Sequence, residues 1–438
     1  MKLSELISVL PFVHSQEQFP ELEIKDIVTD SRRVKPDSLF ICIKGFRTDG
    51  HLYVKEAIKH GAAAIVAERL FESTVPVIYV SDTTRALAML ANKFYDYPTS
   101  KLSLIGITGT NGKTTISYLL DAIFQNLGKK TGIIGTIQNK IGASIRETNN
   151  TTPDALVLQQ LFKEMWELGV EQAIMEVSSH ALDLGRVYGC DFDTVIFTNL
   201  TQDHLDYHKD VSEYFHAKSL LFSQLGNTYD DEKNKFAVVN ADDAYAKNLQ
   251  RMTAQPVITY AIENEAFVMA EDIKLFPNRS SFRLKTPLGT VKITSRLTGR
   301  FNVYDMLAAS AAAIVNHVPL SVIKETFQTV SPIPGRFETV DCGQPFGVVV
   351  DYAHTPDAVR NILQACRDIT SGNLVCILGC GGDRDPAKRP LMAQEAVTHA
   401  DHAIFTSDNP RTEDPEAIIG DMVAGLGEHM DNYEIIMD

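Results

Sequence analysis

No apolar run in this sequence approaches the ~18 uninterrupted residues that a membrane-spanning helix needs. A membrane role is not expected, and the amphipathic start Met1-Lys2-Leu3-Ser4-Glu5-Leu6-Ile7 reads as a short helix rather than a signal peptide. Cysteine is scarce and scattered, at Cys42, Cys190, Cys342, Cys366, Cys376 and Cys380, with no CxxC pair. That spacing disfavours a zinc site and fits reduced thiols in a cytoplasmic protein. Positive charge is in short supply: 41 Lys and Arg face 56 Asp and Glu, leaving a net charge of −15. Such a surface disfavours nucleic acid or an anionic membrane as a bulk partner, so any phosphate-bearing ligand must be held by a local device. There is no internal repeat, no low-complexity tract and no GxSxG elbow. Without the elbow, the adjacent Ser178-Ser179-His180 cannot be read as a serine hydrolase site.

What is present is an ordinary globular composition, 44% apolar and 22% charged, in 438 residues. That length predicts two or three domains. Three blocks of alternating strand-like and helix-like segments follow one another: 1–98, 99–333 and 334–438. In the first, Ser38–Ile43, Ala63–Val66 and Pro76–Val80 read as strands, and Tyr97-Pro98 closes the last helix. In the second, strands are expected at Leu102–Ile107, Gln172–Val177, Thr194–Phe197 and Phe236–Val239, with a side hairpin over Phe282–Arg296. The third begins near Pro334-Gly335-Arg336 and holds strands at Phe346–Val350, Leu374–Leu378 and Ala403–Phe405. Repeated βα units of this kind predict a mainly parallel sheet covered by helices, an α/β fold.

The strand ending at Ile107 runs into Thr108-Gly109-Thr110-Asn111-Gly112-Lys113-Thr114-Thr115 and then a helical pattern. Glycines let the backbone turn its N–H groups toward a polyphosphate, and the helix N-terminus adds favourable partial charge. Lys113 would reach the β- and γ-phosphates and the Thr114 hydroxyl would meet Mg²⁺. The spacing departs from GxxxxGK[ST], since Ile107 stands where the first glycine is expected and Gly106 lies one residue earlier. A lone Gly-Lys-Thr also occurs in surface turns; the strand before and the helix after favour a nucleotide site. Glu176 ends a buried strand, where open α/β sheets place ligands, and suits a metal; a helix cap or a strand-end salt bridge is the bland alternative. Asp203, His204, Asp206 and His208 crowd one strand end and could bind a divalent ion. Lys218 looks like an ordinary solvated lysine on a helix.

These motifs together resemble the Mur ligase family. The resemblance runs from Asp30 to the last residue and rests on motif order: Thr29-Asp30-Ser31-Arg32, Thr108–Thr115, Asn150-Thr151-Thr152-Pro153, Met175–His180, Asn199–His208, Gly299-Arg300-Phe301-Asn302, Gly335–Glu338, Asp351–Pro356, Gly381–Arg384 and Asp408-Asn409-Pro410-Arg411. It implies three domains: a central P-loop-type parallel sheet binding ATP (99–333), an N-terminal α/β domain for the uridine nucleotide (1–98) and a C-terminal Rossmann-like domain for the incoming amino acid (334–438). The implied reaction is ATP-dependent amide formation between UDP-N-acetylmuramoyl-L-alanyl-D-glutamate and meso-diaminopimelate, in a cytoplasmic monomer.

Residue by residue, the resemblance assigns the acceptor to Ser31, Asn150, Thr151, Thr152, Ser178 and Arg186. ATP falls to Gly109, Thr110, Asn111, Gly112, Lys113, Thr114, Thr115, Asn302, Arg336, Asp351 and His354. One Mg²⁺ is assigned to Thr114 and Glu176, and a second to His204, Glu176 and a carbamylated Lys218. Diaminopimelate is assigned to Arg384, Asp408, Asn409, Pro410 and Arg411. A glutamine acceptor contact of some relatives is replaced here by Leu184. The Gly-His-Glu element that meets the amino acid in the family is expected beyond Asp438, so the third domain reads as incomplete. Alternatives are a lysine-adding ligase of the same family and an ATP-binding relative without chemistry. Retained Lys113, Glu176, His204 and Lys218 argue against the latter. Folylpolyglutamate and cyanophycin synthetases share parts of the fold but not the whole motif order.

Overall fold

The computed structural model describes residues 1–11, 21–45, 48–148, 150–204, 207–229, 233–276, 278–340, 342–427 and 431–437. The N-terminal region is a four-stranded sheet, Asp26–Val28, Ser38–Ile41, Ala62–Ala67 and Val77–Tyr79, parallel throughout and in chain order. Its strands are apolar at consecutive positions because both faces are covered. Leu39, Ile41, Ala64 and Val66 enter one core with Leu6, Leu87 and Leu90. Their neighbours Phe40, Cys42, Ile65 and Ala67 enter the other with Val54 and Ala57. Each large aliphatic side chain so buried contributes about 1.5–3 kcal/mol. The helix Thr83–Phe94 starts where the Asp82 carboxylate accepts from the Arg85 N–H at 2.9 Å.

The chain divides into two units, Met1–Gly106 with Lys129–Asp193 and Ile107–Gly128 with Thr194–Asp438. In the first, Thr131–Ile134 pairs parallel with Gln172–Glu176 and antiparallel with Asn139–Ile141, which pairs in turn with Ser144–Arg146. In the second, Thr194–Phe197, Phe236–Asn240, Val257–Ala261 and Val268–Phe276 are parallel neighbours. Arg279–Thr286 and Gly289–Ser295 then continue the sheet antiparallel. The side hairpin read over Phe282–Arg296 is present and extends the sheet through Val268–Phe276. The strand Ser103–Thr108 carries the chain from one unit into the other.

Two helices matter for the site. Lys113–Asn126 buries Ile116, Leu119, Leu120, Ile123 and Phe124. Arg300–Val315 is buried along most of its length, its Ala-Ala-Ser-Ala-Ala-Ala run allowing close approach on several sides. The last region pairs Glu338–Val340 antiparallel with Val348–Val350 and carries a parallel sheet of Val375–Leu378, His402–Phe405 and Tyr433–Ile435. Helices Pro356–Asp368, Lys388–His399 and Pro415–Val423 close a core around Leu363, Leu378, Met392, Phe405 and Ile418. All six cysteines are free thiols, and among the described residues no helix is long and apolar enough to cross a membrane.

Candidate active site

The phosphate loop is shaped by contacts that only glycine allows. Gly109 has φ +141°, and a Cβ there would lie 1.8 Å from Thr198 Oγ1. Gly112 has φ +88°, and its Cβ would meet Asp305 Oδ1 at 2.4 Å. Both positions exclude a side chain by conformation and by space. The segment Thr198–Thr201 walls the loop. Thr198 Oγ1 donates to Asn111 O at 2.6 Å, the Asn111 N–H donates to Asn199 Oδ1 at 3.0 Å, and the Thr201 N–H donates to Thr110 Oγ1 at 3.0 Å. Two motifs separated by about ninety residues are thus one structure. Lys113 Nζ turns onto the loop, donating to Gly109 O at 2.9 Å and Thr110 O at 2.7 Å.

Arg336 reaches this loop from 222 residues away, donating from Nη2 to Thr114 Oγ1 at 3.2 Å. Its guanidinium also lies 4.9 Å from the Tyr352 ring centre. Asp305, which belongs to no motif, sits beneath Gly112 on the helix Arg300–Val315 and is hydrogen-bonded by Thr115. Burial raises its carboxyl well above the ordinary range, against the opposing pull of Thr115 and Arg336. Asn302 is buried, with Nδ2 donating to Thr298 O at 2.7 Å and Oδ1 without a partner among the described residues. Asp351 turns both oxygens to backbone, accepting from the Phe337 N–H at 2.7 Å and the Ala353 N–H at 2.8 Å. It holds the segment that carries Arg336; His354, close by, is exposed and approaches Tyr352 O.

Lys218 corrects the sequence reading. It is not solvated: it is 1% exposed on the helix Val211–Ser223, donates to Gly109 O at 2.8 Å and lies 4.5 Å from the Tyr214 ring centre. Burial pulls its pKa well below the usual lysine value, and the neighbouring Lys113 charge pushes the same way while Asp203 opposes. Both candidate lysines therefore converge on one carbonyl, and Lys218 is held toward the uncharged amine. Asp203 is also buried. Burial raises its pKa, but the charges of His204, Lys388 and His354 outweigh this and hold it below the usual range. Lys388 Nζ stands 3.3 Å and His204 Nε2 3.4 Å from its carboxylate. Asp206 lies outside the described residues, and among those described no group of three or more His, Cys, Asp and Glu is arranged to hold a metal ion.

In the first unit, Glu176 is 1% exposed and accepts from the Thr136 N–H and the Thr136 hydroxyl, both at 2.9 Å. Thr136 carries no motif that marks it in the sequence. The expected acceptor residues gather around this carboxylate: Thr151 Oγ1 is 3.1 Å from Thr136 Oγ1, and Thr152 Oγ1 donates to Glu176 O at 2.9 Å. Arg186 Nη1 donates to Thr152 O at 3.0 Å, and Ser178 caps the helix Ser179–Asp183. Asn150 is exposed beside them. Ser31 belongs to a separate cluster in the N-terminal region, donating to Glu56 at 2.7 Å while its carbonyl meets His60 Nδ1 at 2.8 Å.

In the last region, the loops carrying Arg384 and Asp408–Arg411 are joined. The Gly382 N–H donates to Asn409 O at 2.9 Å, Thr412 Oγ1 donates to Asp383 at 2.6 Å, and Arg411 Nη1 donates to Gly382 O. Two arginines on adjoining loops can meet a planar carboxylate.

Residues 23–95 match the Mur ligase family catalytic domain, 107–313 the Mur ligase middle domain and 335–438 the Mur ligase glutamate ligase domain. The curated UDP-N-acetylmuramoyl-L-alanyl-D-glutamate–2,6-diaminopimelate ligase of Oceanobacillus iheyensis is 54% identical, over 100% of this chain and 89% of its own length. The chain belongs to the Mur ligase family. The enzyme of the same name from Bacillus cereus is 53% identical over the same shares. A solved structure of a diaminopimelate ligase of this name superposes with a TM-score of 0.74 at 31% identity, covering 100% of this chain and 89% of that one. This Mur ligase has three domains, a central, mostly parallel sheet with flanking α/β domains. The glycine cradle and Asn302 Oδ1, which has no hydrogen-bond partner among the described residues, fit a nucleoside triphosphate, and a hard oxygen donor such as the Thr114 hydroxyl suits Mg²⁺ better than a softer ion.

Proposed function

We propose that this Mur ligase joins meso-diaminopimelate to UDP-N-acetylmuramoyl-L-alanyl-D-glutamate at the expense of ATP, in the cytoplasmic assembly of peptidoglycan. The observation that carries the reading is the 54% and 53% identity, along the whole chain, to curated enzymes named for that ligation. Residues 1–98 would hold the uridine nucleotide, with Ser31 in contact. Residues 99–333 would hold ATP, and 334–438 the amino acid. The protein would act as a monomer on small-molecule substrates alone.

The chemistry follows from the parts. The acceptor carboxylate attacks the γ-phosphorus of ATP, the bond to ADP breaks, and an acyl phosphate forms. The loop N–H groups and Lys113 oppose the charge that spreads over the transferring phosphoryl oxygens. Lys113 must leave Gly109 O and Thr110 O to do so, and the buried Lys218 remains to cap Gly109 O. The uncharged amine of diaminopimelate then attacks the acyl carbon and phosphate departs. Thr151, Thr152, Ser178 and Arg186 would orient the acceptor; Asn302, Arg336, Asp351 and His354 would lie against the nucleotide. Arg384 and Arg411, with Asp408, Asn409 and Pro410 shaping their loop, would take the distal carboxylate that distinguishes diaminopimelate from lysine.

Mg²⁺ would neutralise phosphate oxygens, with Thr114, Glu176, His204 and Lys218 as its candidate ligands. An ammonium cannot ligate a cation, so Lys218 would serve as its carbamate. Its depressed pKa supports this, because the neutral amine is the form that adds to CO₂, gaining a carboxylate and releasing one proton. The deciding experiment is phosphate release with acceptor, ATP and either diaminopimelate or lysine. Release that needs acceptor and diaminopimelate together supports the reading; release with lysine preferred, or with neither amine, refutes it.

A further inference from the structure

We propose that Arg389, acting through Glu413, is a positioning residue that fixes the spacing of Arg384 and Arg411 and thereby sets affinity for the incoming amino acid. The inference rests on the assignment of those two arginines to the amino acid under Proposed function.

Arg389 stands in the first turn of the helix Lys388–His399 and is 3% exposed. A guanidinium is held in such a place only when its charge is matched. Two carboxylates take its terminal nitrogens, while Nε has no hydrogen-bond partner among the described residues. Nη2 donates to both oxygens of Glu413 at 2.8 Å, and Nη1 donates to Asp421 at 2.7 Å. The two arms lead to different places. Asp421 lies on the helix Pro415–Val423, so that arm ties helix to helix within the core. Glu413 follows the Asn409-Pro410-Arg411-Thr412 loop directly, and its N–H closes the turn on Pro410 O at 3.0 Å.

Glu413 also accepts from the N–H of Asp383, the residue before Arg384. Asp383 in turn takes the Thr412 hydroxyl, the residue after Arg411. A continuous chain of bonds thus runs from the buried arginine to the immediate neighbours of both candidate carboxylate binders. Among the described residues Arg384 itself donates only to Asp383 O, at 3.5 Å and exposed to solvent, so its place is set by the backbone beneath it. Two parallel hydrogen bonds to a carboxylate demand a fixed separation, and the loops that carry them are exposed. The buried pair supplies the reference point they lack. Arg389 touches no ligand; its effect passes through Glu413.

The two arms allow a test that separates positioning from stability. Glu413→Gln keeps the shape of the side chain and removes the charge on the loop arm; Asp421→Asn does the same on the helix arm. In the full chain, Glu413→Gln is expected to raise the KM for meso-diaminopimelate on the order of tenfold, with the KM values for ATP and acceptor within about twofold of wild type. Asp421→Asn is expected to lower the melting temperature and leave the KM for diaminopimelate unchanged. Arg389→Met shows both effects if it folds, and Arg389→Lys recovers melting without recovering KM. A wild-type KM for diaminopimelate in Glu413→Gln, or an equal rise for all three substrates, overturns the proposal. Wild-type protein that releases no phosphate with diaminopimelate instead refutes the substrate assignment. The positioning claim is then read from hydrogen exchange: the Gly382 and Asp383 amides must exchange faster in Glu413→Gln than in wild type, with the Lys388–His399 helix unchanged. Equal exchange in the two proteins overturns it.

Discussion

Gly109→Ala puts the shape of the phosphate loop to a quantitative test. At φ +141° an L-residue is strained by about 1–3 kcal/mol. The new Cβ would also stand 1.8 Å from Thr198 Oγ1, so the threonine must rotate away and lose its 2.6 Å bond to Asn111 O. That bond is worth about 1 kcal/mol. The single change should therefore cost roughly 2–4 kcal/mol. Thr198→Ala alone should cost about 1 kcal/mol, for the same hydrogen bond. In the double variant the hydroxyl is already gone. The steric conflict shrinks to the Thr198 Cβ at 3.0 Å and the Asn199 N at 3.1 Å. The double should then be no worse than Gly109→Ala, about 1 kcal/mol better than the sum of the singles. Urea denaturation of the four proteins measures the cycle, and phosphate release measures the loop. Both Gly109→Ala proteins should lose turnover, since the strained backbone no longer presents its N–H groups. Strict additivity in the cycle, or normal turnover in Gly109→Ala, would show that the loop is not shaped by this contact.

Three further predictions concern charge. Lys113→Ala should fold normally and abolish phosphate release, and normal turnover would sink the nucleotide assignment. Lys218→Met should be inactive yet more stable than wild type at pH 7 in CO₂-free buffer. Burial holds the folded pKa of Lys218 well below 10.5, so below 10.5 the unfolded chain binds a proton that the native state refuses. Wild-type stability must rise with pH from that lowered pKa up to the unfolded value, and the variant must lack this slope. Added bicarbonate should raise the melting temperature of wild type but not of Lys218→Met, and a short carboxylic acid should restore some turnover to Lys218→Ala but not to Lys218→Arg. Arg411→Ala should raise the KM for diaminopimelate by tenfold or more, about 1.4 kcal/mol or above, while ATP binding measured by calorimetry stays unchanged.

How much of this was legible in the sequence depends on the range over which each feature is encoded. The phosphate loop is local: a buried strand, two glycines and a helix start lie within a dozen residues, and the structure has them where the pattern put them. The long parallel strands, such as Ala62–Ala67 and Thr194–Phe197, announce themselves by apolar runs because both their faces are covered. The strands Asn139–Ile141 and Ser144–Arg146 are three residues each, too short for any period to emerge. Side-chain pairs distant in sequence leave no pattern at all. Lys218 reads as solvent-facing because its partner, Gly109 O, lies 109 residues earlier. Glu176 needed Thr136, which nothing nearby marks, and Asp305 sits one helical turn beyond the recognised Asn302 without any signature of its own. Arg389 and Glu413 are ordinary charged residues until the fold closes over them.

The reach of Arg336 to Thr114 also bears on how the enzyme is made. The ribosome adds about 5–20 residues each second. The 222 residues between the two ends of that bond therefore separate them by roughly 10–45 s of synthesis. In the later part of that interval, once Thr198 and Asn199 have been made, they can brace the glycine loop and its lysine while the arginine is still missing. A growing chain can thus hold a formed phosphate loop in a cell full of nucleotide while the group that grips Thr114 has yet to emerge. The sequence distance acts as a timer, so that Arg336 grips Thr114 only after most of the protein has been built.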